Sequence, residues 1–269
     1  MCELMAMEFR GPISADFSIK AFSGRGEENA DGWGLAWYPD QSLAIVKEPV
    51  RWGASRYAAF LADHAGLCSR IYLAHVRDKT RGGPNTHADT HPFSRERGGR
   101  EYAFAHNGTL DDRVWDLPIG PSRPVGATDS EHAFCHLLAE LDARGGHLDA
   151  EPDWLWLHGR LAGLNKLGKL NILLSDGVRV FCYHDLGGWK GLNYRRVRIR
   201  DHESRHFGDA DVAVELEADS ANEGYVVATR PLSESGWRPF RLGELVVFQG
   251  GAIRFTSHPE ARTLAGVPA

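Results

Sequence analysis

The sequence predicts one α+β domain dominated by antiparallel strands. Apolar runs recur in pairs around short turn signals, as hairpins do. Helical periodicity is confined to a few segments grouped between the strands, where a βαβ fold would alternate the two. No internal repeat, low-complexity stretch or linker divides the 269 residues, so a single domain spanning 1–269 is expected, with about the last fifteen residues peripheral.

Residues 3–22 open the fold, with Phe9, Ile13, Phe17, Ile19 and Phe22 around Gly11-Pro12. Residues 24–32 are polar and Gly-rich and predict a loop. Trp33 to Tyr38 and Leu43 to Glu48 flank Pro39-Asp40-Gln41 as a hairpin. Ala54 to Leu67 has helical spacing through Tyr57, Phe60, Leu61 and His64. Arg70 to Arg77 reads as a buried strand ending in a charge. A polar loop over 78–90 leads to His91-Pro92-Phe93. Glu101 to Ala105 predicts a strand that ends in a turn at His106-Asn107-Gly108.

Thr128-Asp129-Ser130-Glu131 is a capping box, opening a helix with Phe134, Leu137, Leu138 and Leu141 on its apolar face. A second helix is expected over 152–168, starting at Pro152. Leu170 to Leu174 and Val178 to Tyr183 flank the turn Ser175-Asp176-Gly177. Gly191 to Ile199, Tyr225 to Thr229, Leu245 to Gln249 and Ala252 to Phe255 supply further strands.

Composition narrows the function. With 42% hydrophobic and 25% charged side chains and a formal net charge of -5, nothing calls for a polyanion, and the basic residues are scattered. The densest basic run, Arg195 to Arg200, alternates as one solvated strand face would. No apolar run approaches the ~20 residues of a membrane span, and the acidic start of the chain is no signal peptide. Cys2, Cys68, Cys135 and Cys182 lie far apart without a CxxC pair. Reduced thiols in the cytoplasm are therefore expected, with neither nucleic acid nor membrane as partner.

Four elements carry chemistry. Removal of Met1 would leave Cys2 first in the chain, with a nucleophilic thiol beside an α-amine of pKa about 7.7–8.0 that can serve as its base. Arg77 ends a strand and can grip a carboxylate through two parallel hydrogen bonds, although a surface salt bridge explains it equally. Asn107-Gly108 offers a side-chain amide beside a backbone N–H, the parts of an oxyanion hole, but Asn-Gly is also a common hairpin turn. Asp129 can bind an ammonium group, or simply favour a helix start.

Their order along the chain resolves these choices. Cys2, then His75-Val76-Arg77, then Thr90-His91-Pro92-Phe93, then Phe104-Ala105-His106-Asn107-Gly108, then Thr128-Asp129-Ser130-Glu131 resembles the class II glutamine amidotransferases, in particular their stand-alone YafJ-like members. Supporting stretches are Asp31-Gly32-Trp33-Gly34, Asn171 to Gly177 and Ala228-Thr229-Arg230-Pro231-Leu232, so the likeness covers about residues 2–250. The resemblance implies a four-layer αββα N-terminal-nucleophile hydrolase sandwich of two antiparallel sheets. It also implies roles: Cys2 as nucleophile with its own α-amine as base, Asn107 and Gly108 holding the oxyanion, Arg77 on the α-carboxylate of glutamine and Asp129 on its α-ammonium. Thr80 and His91 are secondary candidates for the substrate pocket, while Gly32, Trp33 and His106 shape the site. Asp78 and Arg81 stand where some relatives have Trp and His.

No cofactor is expected. The expected reaction is hydrolysis of the γ-amide of glutamine, with an ammonia-accepting partner protein as a further expectation. A γ-glutamyl hydrolase acting on small peptides or metabolites would use the same Arg77 and Asp129. An inactive binding or regulatory module of the same fold is a third reading. A metal site is the fourth: His132 and His136 lie four apart with Cys135 between them, and His75, His87, His91 and His106 could add to it.

Overall fold

The computed structural model describes residues 2–16, 31–63, 67–77, 85–200, 204–208, 213–218 and 220–258. The strands are β1 (Glu3–Asp16), β2 (Gly32–Trp37), β3 (Ala44–Glu48), β4 (Cys68–Arg77), β5 (Phe93–Arg97), β6 (Arg100–Leu110), β7 (Gly168–Ser175) and β8 (Val180–Tyr183). They continue with β9 (Asn193–Ile199), β10 (Ser204–Gly208), β11 (Ala213–Glu217), β12 (Asn222–Ala228), β13 (Arg238–Pro239), β14 (Leu245–Gln249) and β15 (Ala252–Thr256). The helices are α1 (Arg56–Asp63), α2 (Asp129–Ala143) and α3 (Glu151–Asn165).

Two antiparallel sheets result. The first runs β13-β9-β12-β1-β4-β2-β3, with β11 on the far half of β1 and β10 on β11; the second runs β15-β14-β8-β7-β6-β5. Period-two alternation sorts the side chains of each strand onto two faces. In β1, Leu4 and Ala6 join Leu73 of β4, Ala105 of β6 and Leu173 of β7 in a core between the sheets. Met5, Met7 and Phe9 face the opposite way, into a core shared with Trp33 and with Ala58 of α1. The outer face of the second sheet, with Phe104, Ile172 and Leu174, is covered by Phe134 and Leu138 of α2 and Leu157 and Leu161 of α3. The layers are those of an αββα sandwich.

The β2–β3 and β7–β8 hairpins form as the sequence predicts, and β9 exposes Arg196 and Arg198 while burying Val197 and Ile199. Three expectations need correction. His106-Asn107-Gly108 is no turn: β6 runs straight through it to Leu110, with Asn107 opposite Asn171 and Gly108 opposite Leu170. The ladder with β7 outweighs the local turn preference of Asn-Gly, and a Cβ at Gly108 would lie 1.9 Å from the Lys169 carbonyl oxygen. The capping box is half formed. Thr128 accepts from the Glu131 N–H (3.2 Å), but Glu131 turns away to accept from the N–H groups of Val125 (3.1 Å) and Gly126 (2.8 Å) and to pair with Arg95. The edge strands β5 and β10 are a third departure, because Ser94-Arg95-Glu96-Arg97 and Ser204-Arg205-His206-Phe207 carry no apolar alternation.

Candidate active site

Face parity gathers the site at one end of the sandwich. Glu3 of β1 stands opposite Val76 of β4, and Gly32 of β2 opposite Arg77. Cys2 shares the inward face of Leu4 and Ala6, as Arg77 shares that of Ile71 and Leu73. Asn107 faces them from the other sheet, on the side of Ala103 and Ala105. Its amide nitrogen donates to the Cys2 carbonyl over 2.8 Å. An Asn NH2 carries two protons, so the second remains for another acceptor.

The start of β1 is anchored. The Glu3 carboxylate is buried, accepts from the Thr229 hydroxyl and pairs with Arg230 Nε at 3.3 Å. Thr229 Oγ1 also accepts from the Leu4 N–H (3.2 Å), and the Thr229 N–H donates to the Leu4 carbonyl (3.1 Å). Neither Glu3 nor Thr229 had a role assigned from the sequence, although Ala228 to Leu232 stood out as a motif.

β6 outruns its neighbour β5, whose pairing ends at Phe93 opposite Phe104. The Asp111 N–H points to β7, where it meets the Leu167 carbonyl at 2.8 Å. By antiparallel alternation the N–H groups of Gly108 and Leu110 point to the opposite, open edge. Asp129 occupies that edge: its Oδ2 accepts from the Leu110 N–H (2.7 Å) and its Oδ1 from the Ser130 N–H (2.8 Å). The carboxylate sits in the first turn of α2, where the helix dipole favours it.

His106 locks this corner from the outer face. Its Nε2 lies 3.0 Å from the Lys169 carbonyl oxygen, which fixes the proton on Nε2. Nδ1 then accepts from the Ser130 hydroxyl at 2.8 Å. Burial lowers the His106 pKa, with Asp129 pulling against it, so the ring is a neutral strut.

Arg77 keeps one guanidinium nitrogen, Nη1, buried without a hydrogen-bond partner. Behind it His75 is held down to about 3, first by burial and then by the Arg77 charge. His91 is buried, its ring 4.3 Å from that of His75 and 4.5 Å from that of Phe93, and burial pushes its pKa well down. The His91 backbone lies on Gly34, where a Cβ would come within 2.1 Å of its carbonyl oxygen. Thr80, Asp78 and Arg81 lie outside the described residues. His132 and His136 are spent on the loop before α2, on the carbonyls of Leu117 (3.1 Å) and Pro118 (2.7 Å). Among the described residues no three His, Cys, Asp or Glu side chains converge as a metal would need.

A cysteine whose carbonyl meets a side-chain amide, a guanidinium with one buried nitrogen and a carboxylate make a set suited to an amino-acid amide. The class-II glutamine amidotransferase family model matches residues 1–266. The chain belongs to the class II glutamine amidotransferases. Within that family, the chain is 33% identical over 270 residues to the Escherichia coli protein named "Putative glutamine amidotransferase YafJ", covering 92% of this chain and all of that one. It superposes with a TM-score of 0.68 on the crystal structure of a "predicted glutamine amidotransferase" from Pseudomonas aeruginosa, at 27% identity, over 93% of this chain and 98% of that chain. A shorter match, 32% over 157 residues, links it to the gamma-glutamyl-hercynylcysteine sulfoxide hydrolase of Mycolicibacterium smegmatis, covering 56% of this chain and 60% of that one. The amidotransferase sandwich is thus an N-terminal-nucleophile hydrolase fold, as the sequence resemblance implies.

Proposed function

We propose that this amidotransferase cleaves the γ-amide of glutamine through a thioester on Cys2, after Met1 has been removed. The observation that carries the reading is the 2.8 Å hydrogen bond from the Asn107 amide to the Cys2 carbonyl, made across the two sheets. It supports a thiol and an oxyanion donor working on one carbonyl.

In this reading the Cys2 α-amine takes the thiol proton as Sγ attacks the carbonyl carbon of the side-chain amide. The oxyanion is met by the remaining Asn107 N–H and by the Gly108 N–H on the open edge of β6. The amine then passes its proton to the departing nitrogen as the C–N bond breaks, and ammonia leaves. Water, deprotonated by the same amine, attacks the thioester and releases glutamate and the thiol. Arg77 binds the α-carboxylate through its unpartnered Nη1, and Asp129 binds the α-ammonium; Thr80 and His91 support the pocket. The chemistry requires a reduced thiol, which suits a cytoplasmic setting, with ammonia passing to water or to an acceptor protein.

Glutamate release from glutamine by the processed chain, compared with Cys2→Ala, tests the reading. Turnover that disappears in the variant is expected; turnover that persists would sink it. Hydrolysis of other γ-glutamyl amides is a second reading, favoured by the partial match to a γ-glutamyl hydrolase.

A further inference from the structure

Resting on the proposed amide cleavage, we infer that the far side of the site is a leaving-group subsite for an amine bearing a carboxylate, formed by Lys169 and Trp189. Besides glutamine, the same acyl site then takes γ-glutamyl conjugates of amino acids.

Asp129 lies on the edge of β6 that faces away from β7, where it takes the Leu110 N–H. With the α-ammonium held there and the carbonyl at Asn107 and Gly108, the scissile bond points across β6 toward β7. The inward-facing residues met there are Lys169, opposite Thr109, and Asn171, opposite Asn107.

What stands beyond them is a built loop. The Asp185 carboxylate accepts from the N–H groups of Gly187 (2.8 Å) and Trp189 (3.0 Å), and Asn171 donates to the Trp189 carbonyl (2.7 Å) while accepting from the Asp185 N–H (3.0 Å). Lys190 holds a left-handed φ of 57° between Gly188 at 73° and Gly191 at 57°. Such a conformation is strained for a non-glycine residue and persists where surroundings over-determine it. The same Asn171 that stands beside the oxyanion residue thus fixes the place of Trp189.

The chemistry of the subsite is cationic and aromatic. The exposed Lys169 ammonium sits 3.7 Å from the centre of the Trp189 ring. It has no carboxylate partner among the described residues. Ammonia, the leaving group of glutamine, has no use for an anion-binding lysine on an aromatic platform. An amine that carries its own carboxylate does, and the indole face suits the carbon skeleton between the two.

Three amides with one acyl group and different leaving amines test this: glutamine, γ-glutamylmethylamide and γ-glutamylglycine. The processed wild type is expected to favour γ-glutamylglycine over the methylamide in kcat/KM. Lys169→Met, a change at an exposed side chain, lowers that preference about three- to tenfold, the range of one partly shielded ion pair. Trp189→Leu lowers it in the same direction. Absence of a preference in the wild type, or its survival in Lys169→Met, overturns the subsite while amide cleavage stands. Failure to cleave any of the three overturns the proposed function and the subsite together.

Discussion

The Asn107 side chain donates a hydrogen bond to the main-chain carbonyl of Cys2 at 2.8 Å. The two residues are 105 positions apart, Cys2 directly before β1 of one sheet and Asn107 in β6 of the other, so this contact registers one sheet against the other at the site. It also orients the amide: with one proton committed to Cys2, the other is directed by the same plane.

Asn107→Ala should therefore remove an oxyanion donor and loosen the nucleophile at once. Loss of one such donor typically costs ~10²–10³ in kcat. Steady-state kinetics on glutamine are expected to show a fall of that size with KM changed by less than about threefold. A variant that changed KM alone would place Asn107 in ground-state binding instead.

In the proposed reading Arg77 and Asp129 take the two fixed charges of the amino-acid end. Arg77→Lys keeps the charge but loses the forked geometry, and should raise KM about tenfold or more with a smaller effect on kcat. A truncated amide lacking the α-carboxylate should be turned over equally by wild type and variant. Discrimination retained by Arg77→Lys would remove the residue from the carboxylate site.

The anchoring of β1 gives a stability prediction. Thr229→Val preserves shape but withdraws a donor from the buried Glu3 carboxylate. Leaving a buried acceptor short of a partner costs about 1–3 kcal/mol. Thermal unfolding should show a lower midpoint together with reduced activity, because Cys2 precedes Glu3 directly. An unchanged midpoint would mean that Arg230 alone satisfies the carboxylate.

Glu8 makes stability depend on pH away from the site. It lies buried, accepts from the N–H groups of Gly250 (2.6 Å) and Gly251 (2.9 Å) at the β14–β15 turn, and burial raises its pKa from 4.5 to about 7. The folded state thus binds a proton that the unfolded chain has released between those values. The contribution is fully present below about 4.5 and is lost as pH rises through about 7. Relative to wild type, Glu8→Gln should gain stability across that window, by an amount on the order of 3 kcal/mol. Denaturant unfolding at pH 5 and pH 8 measures the difference; a gap that does not change with pH would contradict it.

Much of this architecture was legible in the chain because burial imposes a period of two. Leu4, Ala6, Leu73 and Ala105 alternate with outward-facing neighbours, and the β2–β3 and β7–β8 hairpins carry their own turn residues. Cys2, Arg77, Asn107, Gly108 and Asp129 are picked out in the sequence by their order, and the fold sets Asn107 against the Cys2 carbonyl and Asp129 on the Leu110 N–H. What failed was local preference opposed by tertiary structure. Asn107-Gly108 favours a turn in isolation, yet eight consecutive β6–β7 pairs hold it extended. Glu131 prefers the N–H groups of the preceding loop to the residue it would cap. Glu3 and Thr229 were invisible as partners because 226 residues separate them. No sequence motif marks Trp189, and only the fold brings its carbonyl to Asn171.

The central claim is that Cys2 is the nucleophile and that its freed α-amine is the base. Intact-mass analysis after exposure to a glutamine analogue with a diazoketone in place of the amide tests both at once. The chain lacking Met1 should gain one adduct, mapped to Cys2, and lose turnover in step with labelling; a form that retains Met1 should be folded, unlabelled and nearly inert. An adduct at Cys68, or full turnover by the form that keeps Met1, would contradict the account.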